Sequence, residues 1–116
     1  MSNEQWRFRI VSGHTEIFPP TRVNEEVITP LADLLFSEIS GRQSLDRYRR
    51  LWAEMSADRE AAQEGIAGNG TCQSLEGDDV ILESLYEQYE PVRMRKEEFE
   101  IFLDQYARFL DSTGVH

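Results

Sequence analysis

The chain has 116 residues, of which 40% are apolar and 29% are charged; this composition is typical of one globular domain over residues 1–116 and excludes a disordered chain. The net charge of −10, from 22 acidic and 12 basic residues, argues against direct binding to nucleic acid, because such binding depends on clusters of basic residues. The same acidity permits binding to a basic protein, or it serves solubility alone.

A strand and a connector are predicted at the N-terminus. Residues 6–11 (WRFRIV) alternate apolar and basic side chains, which is the pattern of a half-buried strand. Residues 12–20 are predicted to form a turn followed by an extended connector, because Pro19 and Pro20 end regular structure there.

Two helices are predicted to follow. The first has Thr29 as its N-cap and Pro30 as its first residue, since proline has no N–H to donate, and Gly41 supplies its C-terminal stop. Ser44 is predicted to cap the second helix, which continues to Gly65. The apolar residues of this second helix recur at helical spacing: they are Leu45, Tyr48, Trp52, Met55 and Ala62.

The C-terminal half is predicted to contain a hairpin and a helix. A glycine-rich loop at residues 65–70 precedes two β-type segments, residues 71–75 and 79–86, which flank a short turn with glycine at its centre. Residues 92–94 add a short strand. A wide apolar stripe over residues 96–111 predicts the last helix. The fold class is therefore α+β, with a small antiparallel sheet, formed by the N-terminal strand plus the C-terminal hairpin, packed against about three helices.

The residues that could carry catalysis do not form a recognisable catalytic arrangement in the sequence. His14 and His116 are the two histidines; His14 falls in the predicted connector and His116 is the last residue, so neither suits a catalytic triad. Cys72, the single cysteine, is predicted to be a small strand residue with no base beside it. No carboxylate spacing matches a calcium loop, and the glycine-rich loop lacks the lysine of a phosphate-binding loop. We therefore predict no catalytic residue, no metal and no cofactor.

Other bulk features predict a cytoplasmic protein that does not enter the membrane. No apolar run approaches the ~20 residues of a membrane span. The first residues, MSNEQWRFRIV, lack the basic-then-apolar order of a secretory signal. A single cysteine forms no intramolecular disulfide, which is typical of cytosolic residence.

Residues 75–91 (LEGDDVILESLYEQYEP) contain six carboxylates and no Lys or Arg. Strands are depleted in Asp and Glu, and carboxylates beside aromatic and aliphatic residues are typical of an interface with a basic protein. The alternative is a solvent-exposed strand face whose acids prevent the edge of the sheet from pairing with the sheet of another molecule. The predicted partner-binding residues are Asp78, Asp79, Glu83, Tyr86, Glu87, Tyr89 and Glu90.

Residues 70–110 resemble the C-terminal part of many small bacterial immunity proteins, the cytosolic inhibitors made alongside polymorphic and contact-dependent growth-inhibition toxins. The matching residues are Val80, Leu82, Glu98, Phe99, Leu103, Tyr106, Phe109 and Leu110. The resemblance implies a non-catalytic inhibitor whose partner is a cognate toxin. Many such toxins are nucleases with a basic cleft, so an acidic surface fits this role.

Three alternatives compete with the immunity function. The first is a non-enzymatic adaptor or regulatory protein that forms a homodimer through the second helix, with Tyr48, Trp52 and Met55 as the seam. The second is an enzyme that uses His14 or the carboxylates, which the shortage of histidine disfavours. The third is a DNA mimic that blocks a nucleic-acid-binding protein, and only the identity of the partner distinguishes it from the immunity function.

Overall fold

The computed structural model describes residues 4–114, so His116 lies outside the described residues. Within them the chain is α+β, as predicted, with two antiparallel sheets and four helices. A 3-10 turn, Glu25–Val27, precedes the first helix. The elements in chain order are β1 (Arg7–Val11), β2 (His14–Phe18), α1 (Ile28–Glu38), α2 (Arg42–Ser56), α3 (Arg59–Glu64), β3 (Ile66–Ala67), β4 (Thr71–Glu76), β5 (Asp79–Ser84), β6 (Val92–Arg95) and α4 (Lys96–Thr113).

The N-terminal sheet is a two-stranded hairpin of β1 and β2. Its two-residue turn has positive φ at both positions, 52° at Ser12 and 80° at Gly13, as hairpin turns of this length require. The predicted turn is present at residues 12–13, but the extended connector predicted after it is wrong, since residues 14–18 form β2. Pro19 and Pro20 follow β2 and so do not prevent this strand from forming. The N-terminal strand also pairs with β2 and not with the C-terminal hairpin, since the tight turn places its partner next to it.

The second sheet has the order β3-β4-β5-β6, with all pairs antiparallel. It confirms the predicted hairpin of β4 and β5 and the short strand at β6. Part of the glycine-rich loop joins this sheet as β3. A Cβ at Gly65 would clash with the carbonyl oxygen of Gln73, so this close approach of α3 to β4 requires glycine.

Three helix boundaries differ from their predicted positions. The helix α1 begins at Ile28 and not after Thr29, because Asn24 caps the preceding 3-10 turn by accepting from the backbone N–H of Glu26. Ser44 lies inside α2 and not at its N-cap; its hydroxyl accepts from the backbone N–H of Gly41 at 3.1 Å. The predicted second helix is broken in two at Asp58, whose carboxylate accepts from two N–H groups of α3 and so caps a new helix.

The core lies between α4, the other helices and the inner faces of both sheets. Phe99 and Phe102 of α4 are completely buried, and α4 ends at Thr113, with Gly114 as its C-cap, two residues beyond its predicted end at residue 111. The apolar residues predicted for α2 and α3 are buried as well. Two large apolar residues stay on the surface: Leu51 of α2 is 47% exposed and Phe36 of α1 is 73% exposed. Among residues 4–114, no helix is long and apolar enough to cross a membrane.

A buried chain of polar contacts joins α2 to the larger sheet. The Tyr48 hydroxyl donates to the side-chain oxygen of Gln73 at 2.6 Å, and the Gln73 amide donates to the Thr71 hydroxyl at 2.8 Å. All three residues are buried. Burial raises the pKa of Tyr48 well above its ordinary value, so the phenol stays protonated and keeps donating.

Replacing this buried tyrosine, Tyr48→Phe, is expected to lower the free energy of unfolding by about 1–3 kcal/mol, because Gln73 keeps a buried oxygen without a donor. Urea denaturation measures the loss. Tyr86→Phe is the matched control, since Tyr86 is 69% exposed, and it should change stability by less than about 0.5 kcal/mol. Equal stability of both variants would contradict the buried network.

Candidate partner-binding surface

The seven predicted partner-binding residues divide between the two ends of β5. Asp78 and Asp79 lie where β5 begins, and Tyr86, Glu87 and the residues up to Glu90 follow its end at Ser84. The strand separates these groups by about 17 Å, given the usual rise per residue. The structure therefore does not bring all seven together in one patch.

At the start of β5, Asp79 is neutralised by a base on another strand, whereas the Asp78 carboxylate forms no ion pair within residues 4–114. A carboxylate oxygen of Asp79 lies 3.0 Å from Nη1 of Arg93 on β6, and Arg93 also pairs with Glu76. These contacts, with the bond to Glu76 contributing most, raise the pKa of Arg93. The carbonyl oxygen of Asp78 accepts from the backbone N–H of Lys96, where α4 begins. The strand pairing thus supplies cations that residues 75–91 lack.

Glu83 occupies a different position from the other acids. It is half-buried and lies opposite Cys72 in the strand pairing. Burial, and secondarily the charge of Glu83, raise the pKa of the Cys72 thiol. Glu83 lines a groove beside α3 that also holds Arg59 and Lys96. Its side chain therefore belongs to the outer face of the sheet under α3.

The loop after β5 is held in shape by one serine. The Ser84 hydroxyl oxygen accepts from the backbone N–H groups of Tyr86 at 3.2 Å and Gln88 at 3.0 Å. Glu87 adopts a φ of 55°, a left-handed conformation that costs free energy in a non-glycine residue and recurs at functional sites. The N–H of Leu85 donates to the carbonyl of Gly70 at 2.9 Å. Hydrogen bonds thus fix the backbone that presents these side chains.

Tyr89 anchors the far side of this loop. Its hydroxyl donates to the carbonyl oxygen of Glu83 at 3.3 Å. Burial, and secondarily the negative charge of Asp33, raise the pKa of Tyr89 to about 12, so the phenol is protonated and remains a donor at neutral pH.

Further contacts join α1 to the loop. The carboxylate of Glu38 accepts from the backbone N–H groups of Asn69 at 2.6 Å and Gly70 at 3.2 Å. A Cβ at Gly70 would lie 3.5 Å from the Ser37 hydroxyl and 3.8 Å from the Tyr86 ring. Ser37 and Tyr86 therefore both lie close to Gly70, and the surface of α1 continues into the loop.

Two residues of α1, Asp33 and Phe36, join the predicted partner-binding residues here, although they were not identified from the sequence. Phe36 is 73% exposed and its ring stacks on His14, with centroids 5.7 Å apart. Its position beside the apolar stripe of α1, and not on it, was the available signal. Asp33 accepts from the Ser37 hydroxyl at 3.1 Å. We define the acidic–aromatic surface as Asp33, Phe36, Tyr86, Glu87, Tyr89 and Glu90.

The residues of the predicted dimer seam lie elsewhere. Tyr48, Trp52 and Met55 are 5%, 3% and 7% exposed, because they form the core face of α2. The indole N–H of Trp52 donates to Glu100 of α4 at 2.9 Å. These side chains are not available to a second copy unless the core opens.

The acidic–aromatic surface combines exposed rings with carboxylates that lack cations. Glu87 and Glu90 are exposed, and neither forms an ion pair within residues 4–114. In the same range, no three His, Cys, Asp or Glu side chains come together to hold a metal ion. Chemically the surface can bury aromatic area and attract cations. Comparison of the chain with family models, curated proteins and solved structures finds no match.

Proposed function

We propose that the chain is a non-enzymatic cytoplasmic protein that binds a basic protein partner through the acidic–aromatic surface. One observation carries this proposal: within residues 4–114, Glu87 and Glu90 form no ion pair and lie on a loop held by hydrogen bonds, while Arg93 neutralises Asp79 at the other end of β5. Acids that served solubility alone would have no need of a shaped loop. Solvated carboxylates beside an exposed tyrosine suit recognition of a cationic surface.

The arrangement explains how such binding would work. Tyr86 supplies rigid contact area at a small cost in side-chain entropy. The carboxylates of Glu87 and Glu90 attract a basic partner over a Debye length of about 10 Å at 0.1 M salt and raise the association rate. The hydrogen bonds that the Ser84 hydroxyl oxygen accepts from the loop backbone hold the loop in place before binding, which lowers the ordering cost of association.

We further propose that the partner is a toxin domain, in particular a nuclease, which the chain neutralises as an immunity protein. The resemblance of residues 70–110 to such proteins supports this proposal. A nuclease cleft is basic because it holds phosphates, so carboxylates on a protruding loop are suitable ligands for it.

Co-expression tests the immunity role. The partner to use is the C-terminal domain encoded by the reading frame adjacent to this one, expressed in bacteria with and without the chain. We expect that domain to stop growth and the chain to restore it. With the purified pair, k_on should fall about tenfold or more between about 0.05 and 0.5 M NaCl, because steering is screened by salt. Failure to restore growth would refute the immunity role, and a k_on independent of salt would refute the steering role of the acids.

A further inference from the structure

We infer that a groove beside Phe36 receives an apolar side chain that projects from a basic segment of the partner. This inference rests on the proposed function and adds to it the chemistry of the segment that is recognised. The groove lies between the β1–β2 hairpin, α1 and the C-terminal half of α4 and has a volume of about 750 Å³.

The groove is mainly apolar and open to solvent on one side. Leu35, Tyr106 and Leu110 form its floor and belong to the core. Ile10 and Phe36 form its walls and are 43% and 73% exposed. A concave, mainly apolar site of this volume suits an entering apolar side chain.

Aromatic stacking holds the Phe36 wall in position. The imidazole of His14 and the ring of Phe36 are stacked at an interplanar angle of 25°. Because His14 closes the hairpin and Phe36 lies on α1, this contact joins two elements across the mouth of the groove. Because this contact holds the Phe36 ring before binding, the entropy cost of ordering it when a side chain enters the groove is smaller.

Charge selects the occupant. Asp33 also lines the groove, and no Lys or Arg does so among the described residues. Asp33 accepts a hydrogen bond from the Ser37 hydroxyl at 3.1 Å, and Ser37 and Tyr86 both lie close to Gly70, so this side of the groove continues along α1 toward the loop that follows β5. An apolar side chain in the groove would therefore have carboxylates beside it. The complementary ligand is a leucine-like side chain flanked by Lys or Arg.

Two seven-residue peptides of Lys and Arg test the inference, one with a central Leu and one with a central Ser. Each is titrated into the full chain labelled with ¹⁵N, and amide shifts are followed by NMR. We expect both peptides to shift Glu87 and Glu90. Only the Leu peptide should shift Ile10, His14 and Phe36, and it should bind about fivefold to tenfold more tightly, since it buries a leucine side chain.

Variants make the test specific. Ala32 lines the groove, so Ala32→Phe should fill it and reduce the affinity of the Leu peptide to that of the Ser peptide. Phe36→Ser removes a wall and should do the same. Leu51→Ser is the matched control, because Leu51 is exposed on α2 outside the groove, and it should leave both affinities unchanged. Circular dichroism confirms that each variant is folded.

Each outcome bears on one of the two proposals. Equal affinities for the two peptides, without shifts at Ile10 and Phe36, would overturn the groove inference and leave the proposed function standing. An absence of shifts at Glu87 and Glu90 with either peptide would overturn the proposed function. A peptide with uncharged flanks and a central Leu is the last probe; if it bound as tightly as the charged Leu peptide, the basic character inferred for the segment would be wrong.

Discussion

Reversing two charges together, Glu87→Lys and Glu90→Lys, is expected to weaken binding of the basic partner by about 100-fold or more. Both carboxylates are exposed and lack ion pairs within residues 4–114, so neither has a folding role that its loss would disturb. A lysine at each position faces the cations of the partner, and juxtaposed like charges cost several kcal/mol, with about 1.4 kcal/mol for each tenfold change. Surface plasmon resonance at two salt concentrations measures k_on and k_off.

The matched control reverses two acids elsewhere, Glu60→Lys and Glu64→Lys on α3. Both residues are exposed, and this double variant has the same net charge as the first. It should retain binding within about threefold, because screened charges away from the interface contribute little. Equal losses in the two double variants would show that net charge matters and that the loop does not. Asp79 is unsuitable for this comparison, since its reversal would place a lysine beside Arg93.

The largest expected effect on stability belongs to Phe102→Ala, which should lower the free energy of unfolding by about 3–5 kcal/mol. The Phe102 side chain is completely buried. Its ring lies 4.9 Å from the Trp6 ring and 5.8 Å from the Phe8 ring, so it joins the N-terminal hairpin to α4. Truncation removes this burial and leaves a cavity. The loss is a large part of the roughly 5–15 kcal/mol by which small domains are stable.

Phe36→Ala is the control for this prediction because it makes the same substitution at a surface site. Phe36 is 73% exposed, so its truncation should cost less than about 1 kcal/mol. Urea denaturation of both variants gives the comparison. If Phe102→Ala were as mild as Phe36→Ala, the packing of the hairpin against α4 would be contradicted.

Strong periodicity made the last helix the most predictable element. The stripe that includes Phe99 and Leu110 predicted α4 at residues 96–111, close to its observed extent of Lys96–Thr113. The same rule identified β1, where apolar and basic side chains alternate, and the hairpin of β4 and β5. These elements form largely as local pattern dictates, because each has one apolar face that must be buried.

Elements without a clear pattern were missed or misplaced. The strand β2 reads HTEIF, and its early polar residues and the prolines after it concealed its pairing with β1. The break between α2 and α3 depends on the carboxylate of Asp58 accepting two N–H groups. An aspartate can lie within a continuing helix or cap the start of a new one. At Asp58 the packing of α3 against β4 decides in favour of the cap.

The sequence by itself determined that residues 75–91 are rich in carboxylates and that their strands pair as a hairpin. Only the tertiary structure decided which of these acids have partners. Register across β5 and β6 brings Arg93 to Asp79, while Glu87 and Glu90, on the turn after Ser84, form no ion pair within the described part of the chain. The reason is that Coulomb energy depends on separation in space, and strand pairing places residues far apart in sequence within a few ångströms.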